Sequence, residues 1–286
     1  MDLRTAGSAL LASASPTLTA DLDAFRSARS QLSAASRAPR TVAVVGLIPG
    51  AGRTTAAALL AWCVAGYSDR RVIVVDAATP PAAPRPPSAG RPALTDAAAR
   101  TITAMLGGDV TQGRLTTLLD APLTPGVARS RVRSAFTPGA APSVLALPPA
   151  PSGFTPQYLD QTLTRLRLRA DLVVVDTPVG PGAPVLHSVV ELVDHFLLVV
   201  DGGGEPAQTV AAVRDWLASA PGRTRRRPAT ALVVNRGLRA PTIPPLGLPV
   251  LALERDEALR RRRIGRAARR SVITGLRLGA SVLRAD

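Results

Sequence analysis

Arg53, Thr54 and Thr55 stand directly after a turn holding Gly50 and Gly52, and that turn follows an apolar run in the segment VAVVGLIPGAGRTT. This order would set main-chain N–H groups, one cation and two hydroxyls at the start of a helix, where anions bind. The strict phosphate-loop pattern G-x-x-x-x-G-K-[ST] asks for glycine at Leu47 and lysine at Arg53, so the chemistry rests on the residues and not on the string. Amides from Gly50, Ala51, Gly52, Arg53 and Thr54, with Pro49 and Thr55 flanking them in the binding loop, would cradle the β- and γ-phosphates of a nucleotide. The Thr54 hydroxyl would face Mg2+, and Asp76 and Asp176, each ending a further apolar run, would hold that ion directly or through water. Taken singly, either aspartate also reads as a turn residue or helix cap. Their joint occurrence in this order, with Thr177 and Pro178 after the last run, favours the site.

The elements that must position these residues alternate strand and helix. Strands are expected at 41–45, 71–76, 143–147, 171–176, 195–200, 229–234 and 249–253, each a Val/Leu/Ile/Ala-rich run. Helices are expected at 54–65, 93–106, 114–119, 155–169, 185–192 and 206–218, with Thr155 and Pro156 as cap and first position. Continuously apolar strands alternating with helices describe a three-layer α/β fold, a mostly parallel sheet covered on both faces, and its ligands sit at the carboxyl ends of the strands. Residues 1–40 read as an N-terminal arm, partly helical or disordered. Their helix-like patch at 21–35 is introduced by Thr19, and the patch can be either mobile or docked. The principal domain is expected over 41–265, and the prolines of 79–92 forbid regular structure there and make a long loop beside the site.

Composition narrows the partners. All 35 basic residues of the 286-residue chain are arginine, and against 20 acidic residues they give a net charge of +15. Such a surface attracts polyanions, so nucleic acid, anionic lipid and acidic protein all stay open as partners. The complete absence of lysine, with abundant Ala, Pro and Gly, also carries the stamp of a GC-rich genome. The one cysteine, Cys63, lies in an apolar run and can form no internal disulfide, which fits a reducing compartment. No run approaches the ~18 apolar residues of a spanning helix, so a cytoplasmic protein, free or held at nucleoid or membrane, is expected. His187 and His195 have no ligand cluster at metal spacing, and Trp62 and Trp216 read as core.

With these residues in view, the chain resembles the ParA/MinD family of deviant-Walker ATPases and the related ATPase domain of bacterial tyrosine kinases. The resemblance runs over about 41–265 through PGAGRTT, VIVVDAATP, DLVVVDTP, VVDGGGEPAQT, LVVNRG and PVLALERDEAL. It implies a P-loop fold, ATP and Mg2+ as ligands, and an ATP-dependent homodimer that engages DNA, an anionic membrane or a protein partner. It also implies that Asn235 reads the adenine, with 253–256 beside it; Asn235 reads equally as a turn residue before Gly237. The family's signature lysine falls at Ile48, its loop lysine at Arg53, and the second aspartate of its D-x-D at Ala78. Removing one preorganised charge-stabilising group typically costs ~10²–10³ in rate, so hydrolysis is expected to be weak or absent while binding suffers less. No catalytic residue is assigned. A static adaptor for a partitioning, secretion or envelope system, and an ATP-independent DNA binder, are the alternatives. Only Tyr67 and Tyr158 are tyrosines, which argues against a complete tyrosine kinase.

The last segment, 266–286, is expected as a basic amphipathic helix. Ile264, Ala268, Val272, Leu276 and Leu283 share one face, and Arg266, Arg269, Arg270, Arg277 and Arg284 gather on the opposite one. Three uses of that stripe stay open: packing on the sheet, lying on a membrane, or presenting arginines to a nucleic-acid backbone together with Arg223, Arg225, Arg226 and Arg227.

Overall fold

Side chains alternate across a strand, and in this chain the alternation separates two apolar sets onto opposite faces of one sheet. The computed structural model describes residues 16–46, 49–77, 102–106, 143–146, 156–178, 189, 191–202, 211–212, 215, 229–234, 248–261 and 263–284. The strands are β1 (Arg40–Val45), β2 (Val72–Asp76), β3 (Ser143–Ala146), β4 (Leu172–Asp176), β5 (His195–Asp201), β6 (Ala229–Val234) and β7 (Val250–Leu253). They form one sheet in the order β3-β2-β4-β1-β5-β6-β7, and every pairing is parallel. Val42, Val44, Val74, Val174 and Leu197 turn to one face, and Ala43, Val45, Val75, Val175 and Leu198 turn to the other. The strand order reverses at β1, so the crevice beyond its carboxyl end is the topological switch point of the sheet.

The first face is covered by α1 (Pro16–Ala34), α2 (Arg53–Tyr67) and α6 (Arg269–Val282), with the short α3 (Ile102–Met105) and α5 (Glu257–Arg260) at its margins. The second is covered by Leu159, Leu163 and Leu166 of α4 (Pro156–Arg167), with Val189 and Val193. This is the three-layer α/β arrangement expected from the runs. Parts of the expected helices 93–106, 185–192 and 206–218, all of 114–119, and the loop 79–92 lie outside the described residues.

At the amino end the boundary expected at residue 40 is not a boundary of packing. Asp21, Phe25, Ala28 and Leu32 recur at helical spacing along α1, and Ala28 and Leu32 are buried in the same core as α2 and α6. The helix starts at Pro16, a good first residue because its missing N–H costs nothing there. Its carboxyl end is held by Arg70, whose Nη1 donates to the Ser36 carbonyl at 2.7 Å and whose Nη2 donates to the carbonyls of Ala35 at 2.7 Å and Leu32 at 3.4 Å. A cation bonding the last carbonyls satisfies acceptors that the helix itself cannot.

At the carboxyl end the expected stripe is buried inside the molecule. Ile264, Val272, Leu276 and Leu283 are buried, and so are Ile273, Leu278 and Val282, because α6 is wedged between α1, α2 and the sheet. Full burial of each such side chain stabilises by ~1.5–3 kcal/mol, so undocking this helix onto a membrane would forfeit several such contributions. Ala268 lies exposed at the helix start, while Arg266, Arg269, Arg270, Arg277 and Arg284 all face solvent. Gly275 and Gly279 make the wedge fit: a Cβ at Gly275 would collide with Cys63 Sγ, and one at Gly279 would stand 2.7 Å from Val64 Cγ2 and 3.0 Å from Leu32 Cδ1.

Candidate nucleotide-phosphate site

Strand β1 ends at Val45, and the chain turns at the switch point into α2. Gly50 (φ 81°) and Gly52 (φ 97°) take the left-handed backbone region that side chains with a Cβ rarely adopt, which is what the turn needs. Gly52 is the N-cap of α2 and offers no side-chain cap, and the first helical bond runs from Ala56 N to Gly52 O at 2.8 Å. The amides of Arg53, Thr54 and Thr55 therefore have no acceptor within the helix, and the positive end of a 15-residue helix would favour an anion. Pro49 and Gly50 are exposed, Ala51 is buried, and Gly52 to Thr55 are half-buried.

One carboxylate meets this loop and a second stands beside it in the sheet. Parallel pairing sets Asp76, the last residue of β2, in register with Asp176, the last of β4, and both are buried. Arg53 Nε donates to Asp176 Oδ1 at 2.9 Å, with the arginine side chain 10% and the aspartate side chain 1% exposed. Thr54, the next residue of the helix start, lies beside the same carboxylate and favours its ionised form. Burial pushes the Asp176 carboxyl up to about 6; Arg53 and Thr54 oppose the rise, and the charge of Asp76 adds to it. Two atoms of the pair, Arg53 Nη1 and Asp176 Oδ2, are buried without a hydrogen-bond partner. A buried donor and a buried acceptor left unmet each cost ~1–3 kcal/mol, which an incoming acceptor or donor would recover.

The structure thus brings together Pro49, Gly50, Ala51, Gly52, Arg53, Thr54, Thr55, Asp76 and Asp176. Ile48, Ala78 and Asn235 lie outside the described residues, as do Trp216, His187, Arg223, Arg225, Arg226 and Arg227. Of the segment 253–256, Leu253 and Asp256 are buried and Glu254 and Arg255 exposed. Asp256 Oδ1 accepts from the amides of Ala258 and Leu259, and its Oδ2 accepts from the amide of Ala268 at 2.6 Å, so one carboxylate caps α5 and also ties it to the residue before α6.

Thr177, read in the sequence only as part of the run after the acidic strand end, has a supporting role of its own. It is buried, and its hydroxyl donates to the Val44 carbonyl at 2.8 Å, which ties the end of β4 to β1 one residue beyond Asp176. The signal in the sequence was a hydroxyl directly after the acidic strand end. The pairing of Arg53 with Asp176 had no sequence signal.

The residues fit phosphate and fit a divalent cation less well. Thr54, Asp76 and Asp176 supply the oxygen atoms a hard cation prefers. The Arg53 guanidinium, however, already neutralises Asp176 at 2.9 Å, and a divalent ion on the same carboxylate would face it at close range. Among the described residues no group of three or more His, Cys, Asp or Glu forms a metal cage.

The sheet order, the glycine turn and the acidic strand ends together define the P-loop NTPase fold. Solved structures of ParA/MinD-family ATPases share it. The ParA-family ATPase of Chlorobium tepidum superposes with a TM-score of 0.57 at 16% identity, covering 87% of this chain and 97% of that one. The cell-division ATPase MinD of Pyrococcus furiosus gives 0.57 at 17% identity over 84% and 97%. The septum site-determining protein MinD of Pyrococcus horikoshii, complexed with Mg-ADP, gives 0.55 at 16% over 83% and 94%. No protein-family model and no curated protein sequence matches the chain.

Proposed function

We propose that this protein binds ATP in the manner of the ParA/MinD ATPases, holding the phosphates on the loop 49–55, and that it works as a dimerising switch of the positioning or partitioning kind with weak or absent hydrolysis. The observation that carries the reading is the uncapped start of α2, framed by Gly50 and Gly52 in left-handed conformations, beside a buried Arg53–Asp176 pair with two unmet polar atoms. Weak turnover is argued from Ile48, Arg53 and Ala78, which stand where the family carries its charged helpers. Adenine recognition at Asn235, a homodimer, and a cytoplasmic location at nucleoid or membrane belong to the same proposal, and Mg2+ enters it only by displacing Arg53.

A polyanionic partner is supported by the arginines around the Asp256 staple. Arg260 and Arg261 are paired with Glu257, and Arg270 with Glu254, but Arg255, Arg263 and Arg266 are exposed with no acidic partner among the described residues. DNA and an anionic membrane both fit that charge, and a static adaptor role remains the alternative should ATP not bind. No helix among the described residues is long and apolar enough to cross a membrane.

Calorimetric titration with a non-hydrolysable ATP analogue tests the reading, alongside a phosphate-release assay. Saturable binding that Gly52→Val abolishes is expected, with phosphate release near background. At ~100 Kd the ligand should add about 2.7 kcal/mol to stability. Absence of any thermal shift with nucleotide refutes the binding proposal, and phosphate release that Asp176→Ala abolishes refutes the weak-turnover part.

A further inference from the structure

The arginine in the loop position can do something that a lysine there cannot. An ammonium is one compact charge, whereas a guanidinium carries donors on several edges of a rigid plane. Arg53 uses Nε on Asp176 Oδ1, and its Nη1 stays buried and without an acceptor. An acceptor that satisfies Nη1 can therefore arrive without breaking the bond at Nε. Turning the whole guanidinium toward phosphates would strip Asp176, 1% exposed and facing Asp76 in register, of its counter-charge. Uncovering one partner of a buried pair is strongly unfavourable.

We propose that Arg53 bridges: it stays on Asp176 as a built-in counter-ion while its free edge bonds the incoming phosphate, so that the loop takes nucleotide phosphates without a divalent cation. The proposal rests on the reading of 49–55 as a phosphate site. Mg2+ demands near-octahedral geometry and gives up its waters reluctantly, and the carboxylate that would bring it into the site is already neutralised. The main-chain amides of the turn supply the remaining donors, and these do not depend on the ion.

The experiment is calorimetric titration of the full chain with ADP, and separately with pyrophosphate, once in Mg2+ and once in EDTA, with circular dichroism to confirm folding of each variant. Wild-type affinity is expected to agree within about threefold between the two conditions. In Arg53→Lys the single ammonium must choose between phosphate and Asp176, so affinity in EDTA is expected to fall by at least tenfold relative to Mg2+. Asp176→Asn removes the carboxylate that needs a counter-ion and is expected to bind equally with and without the ion. A wild-type loss of tenfold or more in EDTA overturns the proposal, because it means that the ion and the guanidinium exchange places. Equal behaviour of Arg53→Lys and wild type in EDTA also overturns it. Failure of ADP and pyrophosphate to bind wild type in either condition refutes the phosphate site itself, a result distinct from Mg2+-dependent binding.

Discussion

Replacing Arg53 by methionine keeps much of the stem volume and deletes the charge opposite a carboxylate that is 1% exposed. At charge centres about 4 Å apart and an effective dielectric near 20, the lost attraction is ~4 kcal/mol. This agrees with the ~3–5 kcal/mol seen when one partner of a buried pair is removed. For a protein of this size each kcal/mol moves Tm by about 2–4 °C, so a fall of roughly 6–20 °C is expected near pH 8. The double variant Arg53→Met/Asp176→Asn removes both charges and is expected to lie within ~1 kcal/mol of wild type, giving a coupling of several kcal/mol in the cycle. The pH dependence supplies a second check. Asp176 already sits at about 6 in the folded protein, above its ordinary 3.8, and without Arg53 it moves higher. A raised carboxyl contributes stability that is present below the unfolded pKa and lost as pH rises through the folded one. The deficit of Arg53→Met should therefore be small near pH 5 and widen toward pH 8, read from urea melts at each pH. A single variant as stable as wild type across that range, or a double variant as unstable as the singles, refutes the buried pair.

Gly275→Ala drives a methyl into Cys63 Sγ and within 3.1 Å of Leu59 Cγ, so a loss of ~1–3 kcal/mol is expected in denaturant melts, and Cys63→Ala in the same chain should restore part of it. Cys63 is fully buried and burial raises its thiol pKa, so alkylation of the native protein should be negligible and should become measurable in Gly275→Ala. Arg70→Met leaves the carbonyls of Leu32, Ala35 and Ser36 without their cation; bonds to charged groups contribute ~1.5–3 kcal/mol, so limited proteolysis should release the segment before β1 faster than in wild type, and equal rates would show that α1 is held by its apolar side alone.

Much of the architecture was legible because its causes are local. The runs ending at Val45, Asp76 and Asp176 are strands within a residue of where they were read, since apolar β-branched runs bounded by turns have few other uses. The turn at Gly50 and Gly52 was legible for the same reason: glycine tolerates a positive φ wherever the chain goes next. The docking of α1 was not legible, because its stripe of Phe25, Ala28 and Leu32 says that something covers it but not what. Likewise α6 showed one apolar face in sequence and buries more than one, because two helices and a sheet surround it.

By itself the sequence determined that a parallel α/β sheet would carry a glycine turn, an arginine in place of lysine and acidic strand ends, since hydrophobic period and dihedral demand are written within a few residues. Only the tertiary structure decided that this arginine spends its Nε on a carboxylate 123 residues away. That contact depends on β4 pairing next to β1 in the sheet order and on water being excluded around both charges, and neither is a property of any short stretch of chain.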